Sequence, residues 1–187
     1  MKFNVGIILT VFSVCMKFAE ADQTYTVTSE RFEHYDGLQE TLFYAGNAKI
    51  IGRQRSLNGT LKFLEDMDNE QFMISVEIFS AQQGDDNLKL LPLGVPRIPI
   101  CDGFKTYFAR VIQPSFIHGE NTDFPYIPED GLCPVPKGEY YFKNISLNTD
   151  TWPTHVPLGT IKAKMNFFKD GINVGGGSLQ MKVEERK

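Results

Sequence analysis

The sequence predicts a mainly β protein, a two-sheet β-sandwich with one short helix. Residues 72–79 and 161–168 alternate apolar and other side chains, as a strand with one buried face does. Seven or eight short segments of strand character follow one another along the chain, a spacing typical of a sandwich. One segment alone, residues 103–112, has its apolar residues at helical spacing.

The N-terminus predicts a secreted protein. Met1 and Lys2 begin a short positive region, the run from Val5 to Cys15 is apolar, and residues 19–21 (Ala-Glu-Ala) have the form of a signal-peptidase site. The alternative is a membrane anchor, but eleven apolar residues are fewer than the roughly 20 that a bilayer requires. We expect residues 1–21 to be a signal peptide and residues 22–187 to form one domain.

The strand candidates can be placed in order along the mature chain. A Lys169-Asp170-Gly171 step follows the segment at 161–168 and supplies an Asp-Gly turn, so this segment and the one at 179–184 are expected to form a hairpin. The predicted strands are Tyr25 to Phe32, Ala48 to Arg55, Thr60 to Leu64, Phe72 to Phe79, Leu88 to Leu91, Glu139 to Ile145, Ile161 to Phe168 and Leu179 to Glu184.

The predicted helix runs from Gly103 to Ile112. Asp102 is a suitable N-cap, the helix ends before Pro114, and its face carries Phe104, Tyr107, Phe108 and Val111. Residues 115–136 are rich in Gly, Pro, Asn and Asp and predict a long loop, in which Phe124, Tyr126 and Ile127 stand out as apolar. Long structured loops are often functional. The alternative is that these three residues only attach the loop to the sandwich.

The mature chain keeps two cysteines, Cys101 and Cys133, because Cys15 leaves with the signal peptide. Two cysteines in an oxidising compartment usually pair, so we predict a disulfide. A free structural thiol and a catalytic thiol are the alternatives. Catalysis would require a histidine base in reach, and the three histidines share no ligand or catalytic spacing with either cysteine.

Two N-glycosylation acceptors fit a secreted chain. They are Asn58, in Asn58-Gly59-Thr60, and Asn144, in Asn144-Ile145-Ser146. Glycosylation at Asn144 raises a question, because strict alternation would place its side chain on the same face as Tyr140 and Phe142. Either that face points outward or the strand ends by Lys143.

Charge and motifs exclude several function classes. Removing Lys2, Lys17 and Glu20 from the totals of 19 basic and 23 acidic residues leaves 17 and 22, a net charge of −5. Interspersed charge of this sign disfavours nucleic-acid binding. The glycine run at 175–177 lacks the Lys and the helix of a phosphate loop, so it predicts a turn or bulge.

No cofactor, metal or catalytic site is predicted. The acidic cluster of Glu65, Asp66, Asp68 and Glu70 lacks the EF-hand pattern and is interpreted as a solvated turn. No nucleophile elbow or zinc-protease motif is present in the sequence.

Several short motifs stand in a distinctive order and spacing along the chain. The motifs are Arg55-Ser56-Leu57-Asn58-Gly59, Cys101-Asp102, Cys133-Pro134, Gly138-Glu139-Tyr140-Tyr141 and Pro157-Leu158-Gly159. Together they resemble a family of insect secreted proteins, the chemosensory B-type (CheB-like) proteins, related to the ML lipid-recognition superfamily that contains the ganglioside activator. The resemblance runs from about Ser29 to the C-terminus and implies an immunoglobulin-like sandwich with a hydrophobic cavity between its sheets. The chain departs from the ganglioside activator, which has several disulfides, because it can form only one.

The leading functional hypothesis is a secreted glycoprotein that binds an apolar small molecule, such as a lipid, glycolipid or hydrocarbon pheromone. Aromatic residues are concentrated in the predicted helix and the long loop, and we expect the apolar residues of these two segments to line a cavity or form its lid. A second hypothesis is an extracellular adaptor or co-receptor that binds a receptor ectodomain through exposed aromatics. A hydrolase, the third, would need one of the histidines beside a Ser or Asp. The lining candidates are Phe104, Tyr107, Phe108, Val111, Phe124, Tyr126 and Ile127.

Overall fold

A computed structural model describes residues 23–85 and 87–186. Strand makes up 50% of it and helix 10%, and the strands form two antiparallel sheets, so the predicted β-sandwich is confirmed. The predicted signal peptide, residues 1–21, lies outside the described residues. In chain order the strands are β1 (Tyr25–Tyr35), β2 (Phe43–Tyr44), β3 (Lys49–Ile51), β4 (Ser56–Phe63), β5 (Phe72–Ala81), β6 (Lys89–Pro99), β7 (Gly138–Ile145), β8 (Gly159–Lys169) and β9 (Ile172–Glu185).

The larger sheet has five strands in the order β1-β9-β8-β5-β6. The predicted C-terminal hairpin is confirmed: β8 and β9 pair antiparallel, with Lys169 opposite Ile172. Between them Asp170 and Gly171 have φ values of 48° and 82°, the positive values that a two-residue hairpin turn requires.

The smaller sheet is built around β4. Strand β7 pairs along one edge of β4, while β2 and β3 pair with successive parts of β4 and share its other edge. Strand β2 was not predicted, because two residues are too few to show a period. Residues 100–137 connect β6 of the large sheet to β7 of the small one.

The glycine run at 175–177 lies in β9 and forms the predicted bulge. The register of β8 against β9 shifts between Asn166 and Phe168. Gly175 has φ of 117°, and a Cβ at Gly176 would lie 2.2 Å from the Met165 carbonyl oxygen. The backbones approach too closely for any side chain there, which explains the composition without a phosphate site.

The predicted helix is confirmed in position but differs in bounds and type. An α-helical turn, Ile100–Gly103, continues as a π-helix over Phe104–Ile112 and a 3-10 turn over Gln113–Ser115; together they are called the helical segment. Asp102 is not the N-cap. It lies in the first turn, where its Oδ1 accepts a hydrogen bond from Asn69 Nδ2 at 3.1 Å.

Two apolar clusters lie against the inner face of the large sheet. The main core joins both sheets to the helical segment and the long loop. A smaller second cluster consists of inner-face residues of the large sheet and residues of the loop 146–158. Its members are Tyr25, Val27, Ile78, Leu147, Trp152, Val156, Ile161, Ala163, Leu179, Met181 and Val183.

Candidate functional site

Aromatic rings fill the space between the two sheets. Phe63 of the small sheet contacts Phe167 of the large sheet edge to face, with ring centroids 5.7 Å apart, the arrangement that aromatic pairs favour. Phe43 lies 4.5 Å from Phe167 by the same measure. The aromatic cluster comprises Phe43, Phe63, Phe104, Phe108, Phe116, Phe124, Tyr140, Phe142 and Phe167.

The helical segment contributes two of these rings, whereas a third predicted ring, that of Tyr107, is not part of the cluster. Phe104 is buried and stacks on Phe108 at 4.9 Å. Tyr107, expected on the same face, is 39% exposed. The physical reason is the π-helix, whose i→i+5 hydrogen bonds make a wider turn than an α-helix. In a π-helix, residues four positions apart, such as Phe104 and Phe108, lie on the same face, whereas a residue three positions after Phe104, Tyr107, points away from that face. Val111 is half-buried, and its carbonyl accepts a hydrogen bond from Trp152 Nε1 at 3.3 Å.

The three candidates in the long loop are divided in the same way. Phe124 and Ile127 are buried, and Phe124 lies 5.4 Å from Phe108 by ring centroids. Tyr126, between them, is 61% exposed. Gln113 fastens this part of the loop to the helical segment: it donates to the Ile127 carbonyl at 3.1 Å and accepts from the Ile127 N–H at 2.7 Å.

Five of the seven candidates therefore face inward or are half-buried, and two face solvent. Phe116 also belongs to the cluster but is not among the predicted residues; its ring centroid lies 6.2 Å from that of Phe108 and 6.1 Å from that of Phe142. The rings that the strands contribute are not among the predicted residues either. The alternation of Leu61 and Phe63 with Thr60 and Lys62 in one strand was a usable signal, because it places Phe63 on the inner face. The alternation of Tyr140 and Phe142 with Glu139 and Lys143 does the same for Phe142.

Burial and charge act together on Tyr140 at the edge of the cluster. Its ring lies 5.1 Å from Phe124, and its hydroxyl donates to the Pro136 carbonyl at 3.0 Å. Burial raises the pKa of the Tyr140 hydroxyl, and the carboxylates of Asp123 and Asp66 add to the increase. This group is therefore a neutral hydrogen-bond donor at physiological pH.

The predicted disulfide is confirmed, and it ties together the two ends of the covering region, which consists of the helical segment and the long loop. Cys101 lies in the α-helical turn and Cys133 near the end of the long loop, with their Cα atoms 5.5 Å apart. Next to it, Met67 and Val135 exchange backbone hydrogen bonds at 2.8 and 2.9 Å. The helical segment and the loop are thus held at both ends and cross the aromatic cluster between them.

The two glycosylation candidates are neighbours on the small sheet. The Asn144 backbone N–H donates to Asn58 Oδ1 at 2.9 Å. Asn144 has φ of 53° and lies in a bulge where the β4–β7 register shifts. The extra residue puts both Phe142 and Ile145 on the inner face and leaves Asn144 exposed. The strand continues to Ile145, so neither alternative posed by strict alternation is correct.

The histidines contact backbone carbonyls and single side chains, and the acidic cluster contacts its own turn as well as Lys137 and Lys169. His34 Nε2 lies 3.2 Å from Asp36 Oδ1, but its Nδ1 faces the Gly176 carbonyl and not a hydroxyl. His118 Nδ1 lies 2.9 Å from the Phe124 carbonyl. In the acidic cluster, Asp68 Oδ1 accepts two backbone N–H bonds of its own turn. Within residues 23–85 and 87–186 no group of His, Cys, Asp and Glu side chains is arranged to hold a metal ion.

A groove at one end of the sandwich was not predicted. Its volume is about 610 Å³, within the usual range of ligand sites. Tyr25 and Val156 line it and also belong to the second cluster, so the groove opens onto that cluster. Another groove of about 490 Å³, lined by Tyr44, Lys62 and Glu139 among others, lies against the small sheet.

Among the helices that are described, none is long and apolar enough to cross a membrane.

Comparison with known families gives a match to part of the chain. The model of a family described as "Protein of unknown function (DUF1091)" matches residues 74–163, just under half of the chain. The matched part includes both cysteines, the helical segment and the long loop. A search of the curated proteins found no match.

Proposed function

We propose that this chain is a secreted glycoprotein that binds an apolar small molecule between its two sheets, with a role in chemosensation as the resemblance to CheB-like and ML proteins implies. The supporting observation is the origin of the rings in the aromatic cluster. Four of them come from a region that belongs to neither sheet: Phe104, Phe108, Phe116 and Phe124.

In the proposed mechanism the ligand takes the place of side chains of the aromatic cluster between the two sheets. In the structure described here the rings fill the inter-sheet space, so a ligand enters only when the covering region moves outward. The π-helix supports this mechanism, because the conformation is rare in proteins and is frequently found at functional sites. Each Å² of apolar ligand surface removed from water then contributes roughly 25 cal/mol.

The disulfide gives this movement fixed ends. Cys101 and Cys133 keep the start of the helical segment and the end of the loop together, so rings between them can withdraw while the strands stay paired. The proposal assigns lipids, glycolipids and hydrocarbons as the ligand class, and no catalytic residue. It places the protein outside the cell with a glycan on Asn144 and on Asn58.

Uptake of the uncharged fluorophore N-phenyl-naphthylamine, displaced by long-chain hydrocarbons, tests the proposal. We expect Phe108→Ala to bind the probe more tightly than the native protein, because one ring fewer must be displaced and apolar cavities accept apolar ligands. Phe79→Ala is the matched control: Phe79 is also half-buried but lies on the large sheet outside the cluster. No uptake by the native protein, or equal gains in both variants, would overturn the proposal.

A second candidate is the extracellular adaptor, and the two exposed tyrosines favour it. Tyr107 and Tyr126 are 39% and 61% exposed, and tyrosines of this kind are frequent anchors at interfaces. The expected result is that Tyr126→Asp abolishes binding to a receptor ectodomain while leaving probe uptake intact. Normal ectodomain binding by both Tyr126→Asp and Tyr107→Asp would exclude this candidate.

A further inference from the structure

The second cluster is an apolar surface that the small sheet does not cover. Its members come from the inner face of the large sheet and from the loop 146–158, and none comes from β2, β3, β4 or β7. Val27, Ile78 and Leu179 are on that inner face, yet each is only half-buried. A sandwich interior would normally bury such residues, so this end of the sandwich is incompletely closed.

The loop over this cluster is fastened mainly in its first half. Tyr25 donates its hydroxyl to the Pro153 carbonyl at 2.7 Å, and Thr149 donates to Gln23 Oε1 at the same distance. Thr151 donates to the Arg110 carbonyl at 2.8 Å. After Pro153, Val156 alone packs on the second cluster. The second half of the loop therefore forms the less constrained wall of the 610 Å³ groove.

The groove is apolar on its floor and charged at its rim. Tyr25 is buried at the floor, and Leu93 and Leu158 are 59% and 43% exposed along the sides. Glu185 and Arg186, both exposed, complete the lining where β9 ends. Thr24, Thr154 and His155 are the other polar residues in the lining. An apolar channel bordered by one cation and one anion complements a ligand with a hydrocarbon chain and a head group that carries both charges.

We propose that this groove binds a single-chain zwitterionic amphiphile. The chain lies against Tyr25, Val156 and Leu158 and continues toward the half-buried side chains of the second cluster. The head group stays at the rim, with its anionic part near Arg186 and its cationic part near Glu185. The inference rests on the proposed function, since it names a ligand class and a second location for an apolar-ligand protein.

Calorimetric titration with three probes that share a dodecyl chain tests the ligand class. The probes are dodecylphosphocholine and dodecanoate, each used below its critical micelle concentration, and dodecanol, used below its solubility limit. Because an exposed charge pair contributes at most about 1 kcal/mol, we expect dodecylphosphocholine to bind about fivefold more tightly than the other two. Neutralising the rim with Glu185→Gln and Arg186→Gln should remove this preference. The control variant carries Lys182→Gln and Glu184→Gln. The native Lys182 and Glu184 form an ion pair at 2.8 Å on the same strand but do not line the groove, so this variant should keep the preference for dodecylphosphocholine.

The location is tested with an exposed residue whose change leaves the core intact. Leu158→Asp should weaken dodecylphosphocholine binding at least about tenfold, because it puts a charge against the chain. Leu90→Asp is the matched control, since Leu90 is 60% exposed and is not part of the groove lining. Binding that is unaffected by Leu158→Asp, or equal affinity for the three probes, overturns the inference. If none of the three binds while N-phenyl-naphthylamine still does, this inference fails and the proposed function stands; if neither kind of probe binds, both fail.

Discussion

Single side chains connect parts of this fold that the backbone leaves unpaired. Arg55, exposed and with φ of 54°, extends from the small sheet to β1 of the large sheet. There it donates to the carbonyls of Ser29 and Glu30 at 3.1 and 2.5 Å, at the bulge where the β1–β9 register shifts. A bulge leaves carbonyls without ladder partners. Arg55, at the small sheet, therefore supplies hydrogen-bond donors to backbone carbonyls at the edge of the large sheet.

Replacing Arg55 with Ala should lower the free energy of unfolding by about 1–2 kcal/mol, because hydrogen bonds from a charged donor contribute in this range and the side chain is exposed. Urea denaturation measures the change. Arg53→Ala is the control, since Arg53 is an exposed arginine two residues away; it should change stability by less than about 0.5 kcal/mol. Equal effects of the two substitutions would contradict the role given to Arg55.

Asn144 is the second position where one residue changes the outcome of a strand. Its left-handed conformation suits Asn better than most residues, and it directs the acceptor side chain to solvent. We expect Ser146→Ala, which removes the acceptor sequence without changing Asn144, to decrease the mass of the protein by one glycan when it is expressed through a eukaryotic secretory pathway. The measurement is intact mass before and after enzymatic deglycosylation. An unchanged mass in Ser146→Ala would show that Asn144 carries no glycan.

Elements with a regular period were predictable, and those governed by tertiary contacts were not. The alternation in 72–79 and 161–168 and the Asp-Gly turn depend on local chemistry, and each corresponds to a strand or turn. Strand β6 was predicted only over Leu88 to Leu91, yet it extends to Pro99. Its prolines argue against a strand in sequence, but β6 is an edge strand, where a missing N–H is tolerated.

The helical segment shows the same limit in a different way. Its amphipathic pattern was visible, but nothing local distinguishes a π-helix from an α-helix, so Tyr107 and Phe108 were assigned one face. The structure separates them, with Tyr107 exposed and Phe108 packed on the main core. Which residues form the candidate site therefore depended on a backbone hydrogen-bond pattern that the sequence does not specify.

That separation predicts unequal effects of two adjacent substitutions. Phe108→Ala should lower stability by about 2–3 kcal/mol, less than the 3–5 kcal/mol of a fully buried Phe, because the ring is half-buried. Tyr107→Ala should cost below about 1 kcal/mol. Thermal and urea unfolding of both variants provide the comparison. A loss for Tyr107→Ala as large as that for Phe108→Ala would support the α-helical face and contradict the π-helix.

For the molecule as a whole, the disulfide determines how firmly the covering region is attached to the sandwich. It joins residues 32 positions apart, and closing such a loop contributes roughly 3.5–4 kcal/mol in the chain-entropy model. The double variant Cys101→Ser with Cys133→Ser should lose about this much in urea denaturation. Strands β8 and β9 should keep their slow amide exchange, because their pairing lies outside the loop. Loss of protection throughout the large sheet would show that the covering region is required for the sandwich itself.

The last whole-molecule property is the response to alkaline pH, which depends on buried and half-buried tyrosines. Burial raises the pKa of Tyr35 well above its usual value, with a further contribution from the Glu77 carboxylate, and burial also raises the pKa of Tyr25. A hydroxyl whose pKa is higher in the folded state contributes stability that is complete below the unfolded value of about 10 and is lost as the pH rises through the folded value. The free energy of unfolding should therefore fall above about pH 10, by up to 1.4 kcal/mol per pH unit for each such tyrosine. Tyr35→Phe should make this slope shallower although it also removes the hydrogen bond to Asn166 at 3.1 Å. Urea denaturation at a series of alkaline pH values measures the slope, and an identical slope in Tyr35→Phe would contradict the assignment.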